Sequence, residues 1–424
     1  DGNELHSEPI QFNCNDPKYA FIGNDVNGNK KFVPLNDDIL SRHMVFLGGI
    51  GTGKTNAFFQ IVRQIRRQLT INDIVVIFDT KGDFYKEFYR PGDIVISNDQ
   101  TATGANESDF WNIFNEIELN EHTEENIVEI SKTLFSNKID NSNQPFFPNA
   151  AKDLFSAIVT YFLRNKEELK PTNKTLREYL DRSASADIRN MLNQYSDLKS
   201  MTSYISDDRS PQTQGVISEL QQLSREIFLG NFKKDGNLSM RNIVRSKGGK
   251  FVFIEYDIGV GNMLSPIYSL LYDMAIKEAL CRSKTEGSVF FITDEFSLIP
   301  NLKHVDDAVN FGRSLGIKFM IGIQNVSQVF DMYGEERGRS LLSGFLTSVA
   351  FRVNDEASRS FIKGLHGTNR KKEVFMASVQ GRGISEQIRD ANVVEDWDIL
   401  RLKIGQAIIG LPSEEPFVFR FEKV

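Results

Sequence analysis

The sequence predicts an α/β fold: a central, mostly parallel sheet covered by helices, with an all-helical stretch inserted in its middle. Three observations carry this. An apolar strand, His43–Leu47, runs into a glycine-rich loop and then an amphipathic helix. Short apolar runs alternate with helical periodicity up to about residue 118 and again from Lys250. Between about Asn120 and Asp235 the strand-like runs vanish. Continuous apolar strands separated by helices mark a parallel sheet buried on both faces.

The elements follow in order. After the loop, Thr55–Leu69 places Phe58, Val62, Ile65 and Leu69 on one face, which is helical spacing. Ile74–Phe78 and Ile94–Ser97 are β-rich. Then come helical stretches at His122–Phe135, Asn149–Leu163, Lys174–Leu180, Ala184–Tyr195 and Gln214–Phe228. The first of these opens with Thr123 as N-cap and an acidic first turn, Glu124–Glu125. Phe251–Tyr256, Val289–Thr293, Phe319–Ile323 and Val349–Val353 read as strands, with a helix over Leu264–Cys281 between the first two. Gln406–Leu411 and Phe417–Phe421 flank a Pro-rich turn and read as a terminal hairpin. The expected division is a nucleotide-binding domain in two parts, residues 1–118 and 237–424, around an all-α inserted domain, residues 119–236.

Composition narrows the class. The 424 residues give material for more than one domain, and 40% hydrophobic with 25% charged residues is ordinary globular usage. Two cysteines far apart, without metal-ligand spacing, argue against a disulfide framework or a zinc site and suit a reducing cytoplasm. No apolar run reaches the ~18 residues a membrane helix needs. The net charge of −7 argues against a surface coated for nucleic acid, while leaving room for a local basic groove or pore lining.

The chemistry lies in a few segments. Gly48, Gly49, Ile50, Gly51, Thr52, Gly53, Lys54 and Thr55 fit the P-loop pattern G-x-x-x-x-G-K-[ST], with the required strand before and helix after. The glycines let backbone N–H groups wrap a phosphate, and the helix N-terminus adds a favourable dipole. Lys54 is expected to neutralise β- and γ-phosphate oxygens, and Thr55 to ligate Mg²⁺. An acidic partner is expected at the end of a neighbouring strand. Val289–Thr293 ends in Asp294 and Glu295, the first suited to the Mg²⁺ shell and the second to polarising a water. Asp79, in Asp79-Thr80-Lys81-Gly82-Asp83, is the second candidate. Arg313 sits between Gly312 and Gly316, and Gln324 ends a strand. Read alone, Arg313 is a solvated arginine before it is an arginine finger. Gln324 likewise caps a turn before it senses a phosphate.

Taken together, the strand with its P-loop, Asp79–Asp83, Asp294-Glu295-Phe296, Phe311-Gly312-Arg313-Ser314, Ile323-Gln324-Asn325 and Gly405–Gly410 resemble the type IV secretion coupling proteins. These are conjugative DNA-transfer ATPases of the FtsK–HerA branch, and the likeness spans nearly the whole chain. The resemblance implies a RecA-like P-loop core using ATP and Mg²⁺. It further implies a homo-hexameric ring that draws single- or double-stranded DNA through its pore. It implies relaxase or secretion-channel partners and a place at the cytoplasmic face of the membrane. It raises Arg313 to a finger acting on a neighbouring subunit's nucleotide and Gln324 to a γ-phosphate sensor, and it sets Phe296, Ser297 and Leu298 near the catalytic carboxylates. Family members usually carry N-terminal transmembrane helices. The expectation here is a soluble part, reaching the membrane only through a missing anchor or a partner.

Two basic clusters are candidate DNA contacts: Arg63, Arg66 and Arg67 on the P-loop helix, and Asn369–Lys372 in an expected loop. Two other functions stay open on the residues. One is a recruitment platform for protein secretion that uses nucleotide to set its assembly. The other is a HerA-like motor for repair or defence.

Overall fold

The computed structural model of the chain describes residues 2–99, 110–281, 287–376 and 384–424. Their strands are β1 (Tyr19–Asn24), β2 (Lys30–Leu35), β3 (Met44–Leu47), β4 (Ile74–Asp79), β5 (Ile94–Ser97), β6 (Lys250–Glu255), β7 (Val289–Thr293), β8 (Ile317–Ile323), β9 (Thr347–Ala350), β10 (Thr368–Met376), β11 (Ile384–Asn392), β12 (Gln406–Gly410) and β13 (Phe417–Arg420). The chain folds as two compact units: Asp1–Val75 with Lys284–Leu298 and Asp306–Val424, and Val76–Ser283 with Ile299–Val305.

In the first unit six strands hydrogen-bond in the order β13-β12-β9-β3-β8-β7. β3, β7, β8 and β9 are parallel, and β12 and β13 turn back antiparallel at one side. Every residue of β3, β7, β8 and β9 is buried, as expected of strands covered on both faces. The helix Lys54–Gln68 buries Ala57, Phe58, Ile61, Val62 and Ile65. Two glutamines one turn apart on this helix meet a strand edge. Gln60 exchanges hydrogen bonds with the backbone of Ile22, and Gln64 with that of Ala20, all between 2.8 and 2.9 Å. Four helical residues rise about 6 Å and two strand residues about 6.6 Å, so the spacings match. β1 gains the partners that an edge strand otherwise lacks.

In the second unit the strand order is β4-β6-β5, with β5 and β6 parallel. Between Leu119 and Asp235 the described elements are all helical. Thr123–Asp140, Phe146–Arg164 and Pro211–Ile227 bury Leu134, Phe135, Leu154, Phe155, Ile158, Val216 and Leu220. The chain enters and leaves this helical run at one buried node. Glu116 accepts from the Trp111 indole at 2.8 Å and from the Met240 amide at 2.6 Å, while Arg241 donates to the Glu116 carbonyl at 3.1 Å. Burial pushes the Glu116 carboxyl up to about 7 against these donors.

A second polar cluster ties the segment Ile299–Val305 down. His304 Nδ1 meets Asp273 at 2.9 Å and Nε2 meets Glu129 at 3.0 Å. The two carboxylates lie on different ring nitrogens, so the arrangement is an ion-paired relay rather than a converging metal set. Burial disfavours the imidazolium, but hydrogen bonds to Asp273 and Glu129 outweigh it and lift His304 to about 9.

The structure corrects several sequence expectations. Thr123 is the first helical residue rather than the N-cap, and no side chain caps that helix. β9 starts two residues earlier than the apolar run Val349–Val353 suggests and ends at Ala350. The hairpins β1–β2 and β10–β11 were not anticipated. Asn369–Lys372 therefore lies in a strand, not a loop. Arg66 is buried, so Arg63, Arg66 and Arg67 do not form one solvated basic face. No helix among the described residues is long and apolar enough to cross a membrane.

Candidate nucleotide site

The parallel strands of the first unit end together. Leu47 lies opposite Ile323 and Ala350, and Ile321 opposite Thr293. The residues that follow these ends therefore gather at one edge: the P-loop after β3, Gln324 after β8, Asp294 and Glu295 after β7. This edge is where an open α/β sheet offers its ligand crevice.

The loop is fixed by backbone bonds on both sides of β3. Gly48 N–H donates to the Ile323 carbonyl at 3.2 Å and Gly49 N–H to the Arg352 carbonyl at 3.3 Å. Thr52 Oγ1 donates to the Gly49 carbonyl at 2.8 Å, closing the loop on itself. Two glycine requirements are plain. Gly53 sits at φ +110°, where a side chain would be strained. A Cβ on Gly48 would meet Phe351 Cβ at 2.7 Å and Thr52 Oγ1 at 2.8 Å. Lys54 opens the helix and is buried.

On the neighbouring strands, Asp294 is buried and Glu295 half-buried. Gly322 of β8 lets the β7 end approach: a Cβ there would lie 2.4 Å from the Asp294 carbonyl. Glu295 is held from two sides. Gln324 Nε2 donates to its Oε2 at 2.6 Å and Ser297 Oγ to its Oε1 at 2.7 Å. Ser297 is thus beside the carboxylate as the resemblance implied. Phe296 is fully buried and stacks on Tyr333 with ring centroids 5.9 Å apart. A glycine cradle, a buried lysine, a threonine at the helix start and a buried carboxylate at the end of the next strand but one fit a nucleoside triphosphate with a divalent cation.

Asp79, the second acidic candidate, belongs to the other unit. Its carboxylate accepts from the Tyr85 amide at 2.8 Å and the Lys81 amide at 3.4 Å, ordering its own turn. Burial raises its pKa to about 6.

Arg313 is not brought to this edge. It lies in the 3₁₀ turn Gly312–Leu315 before β8, and the seven residues of β8 separate the two edges by roughly 20 Å. There its guanidinium pairs with Asp38 at 2.5 Å and half its side chain is exposed. A cleft of about 760 Å³ surrounds the pair, lined also by Asp37, Lys318, Ser288 and the exposed ring of Phe311. No local pattern pairs Arg313 with Asp38, which stands 275 residues away along the chain.

This fold and this edge define an α/β protein of the RecA-like P-loop class. The chain belongs to the family described as the type IV secretion-system coupling protein DNA-binding domain, whose profile matches residues 30–419. It is 23% identical to the coupling protein TraD of Escherichia coli K12 over 403 residues, 91% of this chain and 53% of TraD. It is 21% identical to the type IV secretion system-coupling protein VirD4 of Bartonella quintana, over 74% of this chain and 51% of that protein. The chain thus spans about half the length of these curated relatives. Among solved structures it resembles the bacterial conjugative coupling protein TrwBdeltaN70 at TM-score 0.76 and 19% identity, covering 97% of this chain and 89% of that one. It also resembles the plasmid coupling protein TrwB in complex with the non-hydrolysable ATP analogue ADPNP, at TM-score 0.75 and 19% identity, covering 100% and 94%.

Proposed function

We propose that this chain hydrolyses ATP and uses the energy to move DNA, as one subunit of a six-membered ring beside a type IV secretion channel. The observation that carries the reading is the 2.6 Å hydrogen bond between Gln324 and Glu295, on the sheet edge where the P-loop opens. A carboxylate able to polarise water is tied to an amide able to register whether a γ-phosphate is present. Backbone amides of residues 48–53 and the Lys54 ammonium take the phosphates. Thr55 and Asp294 hold Mg²⁺, which when bound offsets charge on the phosphate oxygens.

Arg313 acts on a neighbour's nucleotide. Its position on the opposite edge from its own P-loop supports this, because a ring sets one subunit's far edge against the next subunit's near edge. Residues 119–236 serve as the domain that meets relaxase or channel partners, and residues 1–118 with 237–424 as the motor. The family description, with its DNA-binding domain, and the names of TraD and VirD4, both coupling proteins, support the DNA-transfer setting; a station at the cytoplasmic face of the membrane is part of the same proposal. The test is ATP turnover with and without single- and double-stranded DNA. DNA should raise the rate in the wild type, and Lys54→Ala should abolish turnover. A wild-type rate indifferent to both forms of DNA would reduce the chain to a nucleotide-regulated recruitment platform.

A further inference from the structure

The exposed aliphatic side chain of Ile404 has a location that singles it out. One solvent-facing isoleucine is ordinary on a protein surface. Ile404, however, is 83% exposed on a short turn that is bolted to the P-loop. Gly405 N–H donates to the Thr52 carbonyl at 2.8 Å, and the Gly405 carbonyl accepts from Phe421 N–H at 2.8 Å. Within the turn, Lys403 N–H donates to Gln406 Oε1 at 3.0 Å and Gln406 N–H to the Lys403 carbonyl at 2.9 Å. Gly405 adopts φ +80°, and its Cα lies only 3.0 Å from where a Cβ on Gly53 would stand. Asn56, next after Thr55, is tied through Nδ2 to the Glu422 carbonyl at 2.9 Å. The ledge is therefore rigid and registered on the loop.

The direction of a bound nucleotide follows from the strand order. Glu295 and Gln324 stand on the β7–β8 side of β3 and mark the γ-phosphate end. The P-loop occupies the middle. The nucleoside end must then leave on the other side of β3, toward β9 and β12, and β12 begins at Gln406 immediately after the turn. A nucleobase is a flat, largely apolar ring system that binds well against an aliphatic surface.

We propose that Ile404 is the nucleobase platform of the site, packing against the face of the adenine ring. This rests on the nucleotide reading above. A platform already fixed before binding loses little freedom on contact, so the apolar burial goes into affinity.

The experiment measures binding of MgATP and of Mg-tripolyphosphate, which has the phosphates and no base, to the whole chain as wild type, Ile404→Asp and Ile404→Leu. Ile404→Asp is expected to weaken MgATP about tenfold and to leave Mg-tripolyphosphate within about twofold, whereas Ile404→Leu keeps both. Equal losses for both ligands would mean that the substitution disturbs the loop, and would overturn the platform. Unchanged affinity for both ligands would also overturn it, including where Ile404→Asp alters only subunit association. Failure of the wild type to bind either ligand would instead remove the nucleotide reading on which the platform rests.

Discussion

Glu295 is the residue whose surroundings say most about chemistry. It is half-buried, accepts one hydrogen bond on each oxygen, and stands on the strand next to but one from the P-loop strand. Replacing it by Gln keeps the shape and removes the proposed base. Glu295→Gln should lower the hydrolysis rate by about 10²–10⁴-fold while nucleotide still binds, checked by turnover alongside equilibrium binding. Parallel losses in binding and turnover would show that Glu295 holds the site together instead. Gly48–Thr55 and Asp294–Glu295 were legible in the sequence because each is local: a strand, then polar residues in a fixed order. The partners that hold them were not. Gly405 meets Thr52 across 353 positions of chain, Gly322 opens space for Asp294 by lacking a side chain, and Ser297 and Gln324 act through side-chain directions that a linear pattern does not encode. Asp79 shows the converse: a carboxylate at a strand end reads as a metal ligand, yet this one caps the turn that follows it.

At the scale of elements, the fully buried strands β3, β7 and β8 announced themselves as continuous apolar runs. The hairpins β1–β2 and β10–β11 did not, because their residues are mixed and charged, as in Lys30-Lys31 and Arg370-Lys371-Lys372. In β1–β2 the buried face is only Tyr19, Phe21, Val33 and Leu35, too short an alternation to stand out among the polar residues around it. The 3₁₀ turn holding Arg313 is latched by the Asp37–Ser41 helix through Asp38, which also pairs with Arg42 at 3.0 Å. For a finger acting on a neighbour, this latch must open. Asp38→Ala should therefore leave ATP affinity unchanged and alter turnover only in assembled rings, seen by comparing rates at dilute and concentrated protein. In the second unit, the segment Ile299–Val305 depends on His304. Because its folded pKa is raised to about 9, its stabilising contribution is complete below the unfolded value of ~6.5 and is lost as pH rises through about 9. Glu129 runs the other way: burial raises it, but His304 and Lys277 outweigh that and hold it near about 2, so its contribution is present above ~4.5 and fades below. Thermal melts from pH 6 to 10 should show Tm falling toward the alkaline end. His304→Gln should flatten that fall and cost about 1–3 kcal/mol at pH 6.

For the whole molecule, the charge of −7 gives no electrostatic invitation to DNA. The proposed ring would resolve this, because six copies of a few pore residues would multiply the phosphate contacts without making any one subunit basic. The same proposed geometry would give a role to Arg313, which stands on the far edge of its own sheet from the P-loop. The most direct measurement of this account is DNA-stimulated ATP turnover in a co-assembled equal mixture of Arg313→Ala with Lys54→Ala, each inactive by itself. The account predicts that mixing restores part of the turnover, because an Arg313→Ala subunit keeps its P-loop and takes the arginine of a Lys54→Ala neighbour. A mixture as inactive as its two components, or an Arg313→Ala protein that turns over undiminished by itself, would contradict it.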